Sequence, residues 1–384
     1  MKIGIFTNNY LPNPYGVTGS VETFRREFER RGHTVYIFAA NWPGYVDKNE
    51  NVFRYPSLDI NFKFRFPIAI PFSRKMDKII EKLDLDIIHS QHPNLLGGAA
   101  KKWAKKKKIP LVFTWHTLYD KYANYVSFLP EKLVGWWTIR NARIYANKVD
   151  QVIVPTESVV PILRKWGVTN QIEAISTGVD EELFQDTDRI KTRSRFSFKE
   201  SDKVILLLSR LTEEKNVEFI FNSLLDILKN HQDVKFLVVG GGYLQEKFEN
   251  WAKENNLQNQ VFFTGEVKRE EVKNFYVAAD IFVYSSLSET QGTIITEAIY
   301  MGLPIVAVRA TGISSLVEDK RSGFLTRLDE KEFSEKVQFL LENKEIREEI
   351  SKTSKKIAQE KYTAEACGKK MLDVYQKLIS ENKK

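Results

Sequence analysis

Glu289 and Glu297 stand eight positions apart in Glu289-Thr-Gln-Gly-Thr-Ile-Ile-Thr-Glu297. An ionised carboxylate is a strong hydrogen-bond acceptor, and two of them beside a ligand edge suit the hydroxyls of a sugar. The run before them, Asp280-Ile-Phe-Val-Tyr-Ser-Ser, reads as a buried strand, and Ile294–Met301 has helical spacing that stops at Gly302 and Pro304. One acid therefore falls in a strand-to-helix loop and the other in the first turns of the helix. Both lie at the carboxyl edge of a parallel sheet, where open α/β sheets bind ligands and free helix amides favour phosphate. The same acids also suit a plain helix start, whose dipole favours negative charge there.

Cations stand at the equivalent place earlier in the chain, in Ser209-Arg210-Leu-Thr-Glu-Glu-Lys215-Asn216. Arg210 as a fork and Lys215 as a point charge together can neutralise a diphosphate, or simply line a helix start. Val239-Gly-Gly241-Gly242 offers backbone that a nucleotide can approach, as does Asn13-Pro-Tyr-Gly16-Val17-Thr-Gly19-Ser20 at the mouth of the first helix. Gly16 and Gly19 do not complete the three-glycine dinucleotide pattern. His116 ends a strand in Phe113-Thr-Trp-His-Thr117 and is expected to point into a cleft, with a buried structural role as the alternative. His89 and His92 have no Cys or acid at a zinc-like spacing. Asp84 and Asp86 resemble a metal-binding pair but lie on the entry side of their strand.

The elements that position these groups repeat in two halves. Ile3–Phe6, Thr34–Phe38, Ile87–His89, Leu111–Trp115 and Gln151–Pro155 read as parallel strands, with helical stretches Ser20–Arg31, Phe72–Leu83, Leu95–Lys108 and Leu133–Asn147 among them. The pattern restarts at Val204–Leu208, Lys235–Val239, Val261–Thr264, Ile281–Tyr284 and Ile305–Val308. Thr177–Asp180 and the polar stretch Gln185–Lys203 read as a linker. The expected fold class is α/β, two doubly wound parallel-sheet (Rossmann-like) domains facing across a cleft. Residues 1–182 form the first domain and 183–364 the second, with a helix over 365–384 packing back on the first.

At 384 residues the chain exceeds one ordinary core, and 42% hydrophobic with 28% charged residues is a soluble globular composition. The one cysteine, Cys367, excludes an internal disulfide and fits a reducing cytoplasm. No signal peptide is evident, and no apolar run approaches the roughly 20 residues of a membrane span. The net charge of +8 is uneven: residues 1–180 hold 26 basic against 16 acidic side chains, whereas the remainder is nearly balanced. One domain is thus suited to an anionic surface or polymer. No nucleic-acid-binding motif accompanies that charge, and no nucleic-acid partner is expected.

Taken together, the Gly16-Val17 loop, His116, Arg210 with Lys215, Gly265-Glu266 and the two glutamates resemble the retaining glycosyltransferases of family 4, with their two-domain GT-B fold. The resemblance covers essentially the whole chain. It implies a nucleotide-sugar held by the second domain, with Glu289 on the donor sugar and Glu297 on the ribose. Arg210, Lys215 and the amides of Thr290, Gln291, Gly292 and Thr293 would take the diphosphate. Gly241 and Glu266 would adjoin the nucleotide, Gly16 and Val17 would touch the diphosphate from the first domain, and His116 the transferred sugar. No tightly bound cofactor and no required metal are implied.

The Glu-Thr-Gln-Gly loop and the run His116–Tyr125 look most like the bacterial diacylglycerol glucosyltransferases, which use UDP-glucose and membrane diacylglycerol. Such an enzyme would sit peripherally on the inner face of the cell membrane. In Asn61-Phe62-Lys63-Phe64-Arg65-Phe66 aromatics interleave with cations, and Trp136-Trp137 stand near Arg140 and Arg143. Aromatics in lipid with cations over anionic headgroups is how an interfacial segment binds. Other acceptors, such as a phosphoinositide, a polyprenyl-linked glycan or a soluble glycan, remain compatible, as does a non-catalytic binding module.

Overall fold

The structure is a computed structural model that describes residues 1–13, 16–61, 65–118 and 131–383, apart from the side chains of residues 60–61, 65–66 and 131–133. The chain forms two compact units, Met1–Gly178 with Ala364–Lys384, and Val179–Thr363.

In the first unit, seven short strands make a parallel sheet: β1 (Lys2–Thr7), β2 (Thr34–Ala40), β3 (Val52–Tyr55), β6 (Ile87–Ser90), β7 (Leu111–Thr114), β8 (Gln151–Val154) and β9 (Ile172–Ala174), in the order β3-β2-β1-β6-β7-β8-β9. The order reverses between β1 and β6, which places a crevice outside their carboxyl ends. Side chains alternate across the sheet, as a two-residue repeat dictates. Ile3 and Ile5 of β1 join Val35 and Ile37 on one face, while Phe6, Phe38, Ile88 and Phe113 occupy the other. The helices α1 (Gly16–Arg30) and α14 (Ala364–Asn382) cover the first face through Val21, Phe28, Met371 and Tyr375. The Phe28 and Tyr375 rings meet edge-on at 5.7 Å. Helices α2 (Arg74–Lys82), α3 (Leu96–Lys107), α4 (Glu131–Ala146) and α5 (Val160–Lys165) complete the unit, with Trp103, Tyr145 and Leu163 in the core of the second face. Burying each such large apolar side chain contributes about 1.5–3 kcal/mol.

Two further strands, β4 (Ser57–Asn61) and β5 (Arg65–Ala69), pair only with each other as an antiparallel hairpin. Leu58 lies opposite Ile68 and both are exposed, as is Phe72 just beyond. The hairpin is absent from the sequence-based expectation, which takes the run from Asn61 as an interfacial segment, although Ser57-Leu-Asp-Ile-Asn61 alternates polar and apolar residues as a strand does.

The second unit holds β10 (Lys203–Leu208), β11 (Val234–Val239), β12 (Val261–Phe263), β13 (Ile281–Tyr284), β14 (Ile305–Val308) and β15 (Gly323–Thr326) in the order β12-β11-β10-β13-β14-β15, all parallel. Strand β10, Lys-Val-Ile-Leu-Leu-Leu, is buried from Val204 to Leu207, and such uninterrupted apolar runs suit a strand covered on both faces. Its helices are α6 (Arg189–Ser194), α7 (Val217–Asn230), α8 (Gln245–Glu254), α9 (Val272–Ala278), α10 (Thr293–Met301), α11 (Thr311–Ser314), α12 (Glu330–Glu342) and α13 (Lys344–Lys361). The switch in strand order falls between β10 and β13.

The stretch 185–203, read from its polarity as a linker, is part of this unit. Within it α6 carries Arg193, which is buried and donates to the carbonyls of Ala278 (3.1 Å) and Lys199 (2.9 Å) beside Asp280. A polar sequence here reflects a guanidinium buried against backbone carbonyls and Asp280 rather than a solvated tether.

Candidate active site

The candidate residues fall into two groups, one on each unit. In the second unit, β10 runs into Ser209-Arg210, and a short helical turn at Glu213–Lys215 leads to α7. β13, its neighbour across the switch point, runs into Ser285–Glu289. Adjacent parallel strands therefore deliver Lys215 and Glu289 to one place. Lys215 Nζ pairs with Glu289 Oε1, the Tyr284 hydroxyl donates to the same oxygen at 2.7 Å, and Ser286 Oγ does so at 3.1 Å. Ser285 Oγ ties the loops together by donating to the Asn216 carbonyl at 2.8 Å.

Burial acts to raise the Glu289 pKa, but the Lys215 charge and the three donors outweigh it and hold the carboxyl below its usual value. Glu289 is thus an anion at neutral pH. All three donors sit on Oε1, and among the described residues none is placed on Oε2, whose two lone pairs remain for a ligand's hydroxyls. The backbone around it is braced: Gly312 N–H donates to the Glu289 carbonyl at 2.9 Å. A Cβ on Gly312 would come within 2.6 Å of that carbonyl oxygen and of the Thr290 carbonyl carbon, so only glycine fits. Gly292 has φ of +72°, the left-handed conformation glycine tolerates, and Thr293 then opens α10.

Arg210 is half-exposed and its guanidinium pairs with Glu214. Burial and the nearby Glu289 charge push the Glu214 carboxyl up, against the lowering effect of Lys215. That pairing fixes the direction of the Arg210 guanidinium at the lip of β10.

Glu297, in the second turn of α10, is buried and belongs to a different cluster. Arg269 grips it with both terminal nitrogens, Nη1 reaching Oε2 at 3.0 Å and Nη2 reaching Oε1, and the Tyr276 hydroxyl lies 3.0 Å from Oε2. Gly241 and Glu266 meet beside β11 and β12, where a Cβ on Gly241 would stand 2.9 Å from Glu266 Cγ. Thr290 and Gln291 complete the loop between Glu289 and α10, with Gln291 buried.

In the first unit, exposed Gly16 and half-buried Val17 open α1 beyond β1. His116 follows β7, and its Nε2 lies 2.7 Å from Oε1 of Gln91, which follows β6. Burial, then the neighbouring His92 and His89, lower the His116 pKa to about 3, so the imidazole is neutral in ordinary buffers. It can exchange hydrogen bonds with a sugar but cannot serve as a cation. His89 is a core group: Nε2 is 2.7 Å from Thr114 Oγ1 and Nδ1 contacts the Tyr375 hydroxyl of α14. Asp86 accepts from the Lys2 amide at 2.7 Å, at the amino end of the sheet, which explains it without a metal. Among the described residues no cluster of three or more His, Cys, Asp or Glu side chains is placed to hold a metal ion.

Trp136 and Trp137 are both more than half exposed on α4, with the Arg140 guanidinium 5.8 Å from the Trp136 ring centroid. Phe62, Lys63 and Phe64 lie outside the described residues, as do the side chains of Arg65 and Phe66. Among the described residues no helix is long and apolar enough to cross a membrane. The sequence reading did not single out Arg269, Tyr276, Tyr284, Ser286, Gly312 or Gln91. For Arg269 a signal existed, a fork-shaped cation just past a strand on the ligand edge, as at Arg210.

Comparison with known proteins bears on the family. Residues 14–183 match the model of Glycosyltransferase Family 4, and residues 188–357 match that of glycosyl transferases group 1. The chain is 32% identical to the alpha-monoglucosyldiacylglycerol synthase of Streptococcus pneumoniae over 85% of this chain and 75% of that protein. It is 28% identical to the enzyme of the same name from Acholeplasma laidlawii over 100% of this chain and 99% of that one. Among solved structures, Anabaena Alr3699/HepE in complex with UDP and glucose superposes with a TM-score of 0.76 at 18% identity, covering 98% of this chain and 100% of that one.

Proposed function

This chain belongs to glycosyltransferase family 4, and we propose that it moves glucose from UDP-glucose to the free hydroxyl of diacylglycerol in a membrane, with retention at the anomeric carbon. The observation that carries the chemistry is the Lys215–Glu289 pair at the β10/β13 switch point, a cation and an acid set side by side on the ligand edge.

Breaking the sugar–phosphate bond leaves negative charge on the departing diphosphate and positive charge at the anomeric carbon. Lys215, Arg210 and the amides opening α10 take up the former, and such preorganised electrostatics is commonly the largest catalytic contribution. Glu289 Oε2 accepts hydroxyls of the donor sugar and fixes the ring, while its ionised carboxylate lies close to the developing positive carbon. The acceptor hydroxyl attacks from the face the phosphate leaves, and its proton passes to a phosphate oxygen, so no protein nucleophile is required. Retention and this same-face route follow the family.

Three features support a lipid acceptor: the names of the two relatives, the basic first half, and the exposed Trp136–Trp137 pair with Arg140. Each basic side chain near an anionic surface adds about 1 kcal/mol of attraction. The enzyme is thus read as peripheral on the inner leaflet. Sedimentation with anionic vesicles tests this half of the reading. Wild type should pellet with the lipid, and replacing both tryptophans by alanine should weaken that at least tenfold. A wild type that stays in the supernatant at low salt would point to a soluble acceptor.

A further inference from the structure

Each of the two acids is held by a cation and a tyrosine, with Ser286 as a third donor on Glu289. Lys215 and Tyr284 hold Glu289, while Arg269 and Tyr276 hold Glu297. The second set is the less obvious one, because Arg269 comes from the short helical turn after β12 and Tyr276 from α9. Neither is a neighbour of α10 in the sequence.

The geometry distinguishes the two oxygens of Glu297. A carboxylate oxygen offers two in-plane acceptor positions. Arg269 Nη1, 3.0 Å away, takes one of those of Oε2, and the Tyr276 hydroxyl stands at the other at 3.0 Å, its single hydrogen shared with the Ile294 carbonyl at 3.1 Å. Oε1 takes Arg269 Nη2 and retains one position. The guanidinium is itself braced from behind, 5.5 Å above the ring of Phe184, which packs against Tyr276 and Tyr300. Glu297 is nearly sequestered, whereas the Arg269 side chain is half-exposed, so the fork is the member of the pair open to solvent. Lysine is no substitute, since a point charge cannot span both oxygens.

We infer that Arg269 is a positioning residue of the donor site, fixing the rotation of the Glu297 carboxylate so that Oε1 presents its one open acceptor position to a ribose hydroxyl of the nucleotide. This rests on the reading of the second unit as a nucleotide-sugar site. It makes the Arg269–Tyr276 pair the determinant that separates ribonucleotides from deoxyribonucleotides.

The test is calorimetric titration of the full chain with UDP, 2′-deoxy-UDP and 3′-deoxy-UDP. Wild type should prefer UDP to at least one deoxy analogue by about tenfold or more, the usual worth of a hydrogen bond to a charged group. In Arg269→Ala that preference should shrink to within about twofold of unity, chiefly through weaker UDP binding, and Arg269→Lys should fall between. Glu297→Gln should lose preference in the same way. If Arg269→Ala weakens all three ligands equally and keeps the ratio, the contact is merely structural and the inference fails. Should that variant not fold, the ratio in Arg269→Lys and Tyr276→Phe decides, and an unchanged ratio in both overturns the inference. A wild type that binds UDP without preference refutes the positioning role and leaves the donor reading intact. A wild type that binds no UDP overturns both.

Discussion

Lys215 and Glu289 lie 74 positions apart and close on one another as an ion pair between the loops that follow β10 and β13. Both side chains are less than one-fifth exposed, so the pair is screened from water and each member needs the other. Removing one leaves an uncompensated charge, which is why the two act as a unit. Lys215→Ala and Glu289→Ala should each lower kcat by about 10²–10³ with the fold retained, a range typical for a preorganised electrostatic group. The double variant should lose far less than the product of the single losses. Steady-state rates for the three proteins check this, and full multiplicativity would show that the residues serve separate steps.

Tyr284 holds the same carboxylate from the strand below. Its hydroxyl donates to Oε1 at 2.7 Å, and a hydrogen bond to a charged group contributes about 1.5–3 kcal/mol. Tyr284→Phe should therefore reduce kcat/KM by roughly tenfold or more, with little change in thermal midpoint because the ring remains packed. Comparison of kcat/KM with the melting curve separates these effects. A variant that melts much earlier but turns over normally would assign Tyr284 to the core instead.

Gly312 places the donor loop rather than contacting ligand. Adding one methyl group at this position presses on the Glu289 and Thr290 backbone at 2.6 Å. A displacement of about 1 Å at a catalytic group costs on the order of 10²-fold in rate. Gly312→Ala is expected to approach that loss, while a substitution at Gly98, where a Cβ meets nothing within 4 Å, should leave activity unchanged. Equal activity in the two variants would show that the loop relaxes freely.

The buried imidazole of His89 gives the fold an acid sensitivity. Burial lowers its pKa to about 3, against 6.5 for the ordinary side chain. Between those values the unfolded chain binds a proton that the folded one does not, so stability is full above pH 6.5 and falls as pH drops toward 3. The slope is about 1.4 kcal/mol per pH unit for this one group. Denaturant unfolding between pH 6.5 and 5 should cost wild type about 2 kcal/mol more than it costs His89→Gln. Parallel stability curves for the two proteins would contradict the assignment of His89 as a buried neutral group.

Much of the framework is legible in the chain itself, because central parallel strands advertise themselves as short apolar runs. β10, β11 and β13 fall close to their expected bounds for that reason. The edge strands β3 and β9 escaped notice, since Arg54 and Glu173 interrupt them and an edge needs less burial. The site shows the same division. Arg210, Lys215, Glu289 and Glu297 stand out because each follows or opens an element on the ligand edge. Arg269 and Tyr276 do not, as their meeting with Glu297 depends on side-chain reach across 28 and 21 positions that no local pattern encodes. Glu214 is a similar case: four residues from Arg210 on a helical turn, it reads as a surface acid, yet it holds the guanidinium.

The central claim is tested most directly by giving the purified enzyme UDP-glucose and GDP-mannose in equal amounts with anionic vesicles containing diacylglycerol, then identifying the lipid product by mass spectrometry and its anomeric proton by NMR. The account predicts a single hexose on diacylglycerol, drawn from UDP-glucose and α-linked. A mannosyl product, a β-linkage, or glucose appearing only on a soluble acceptor would contradict it.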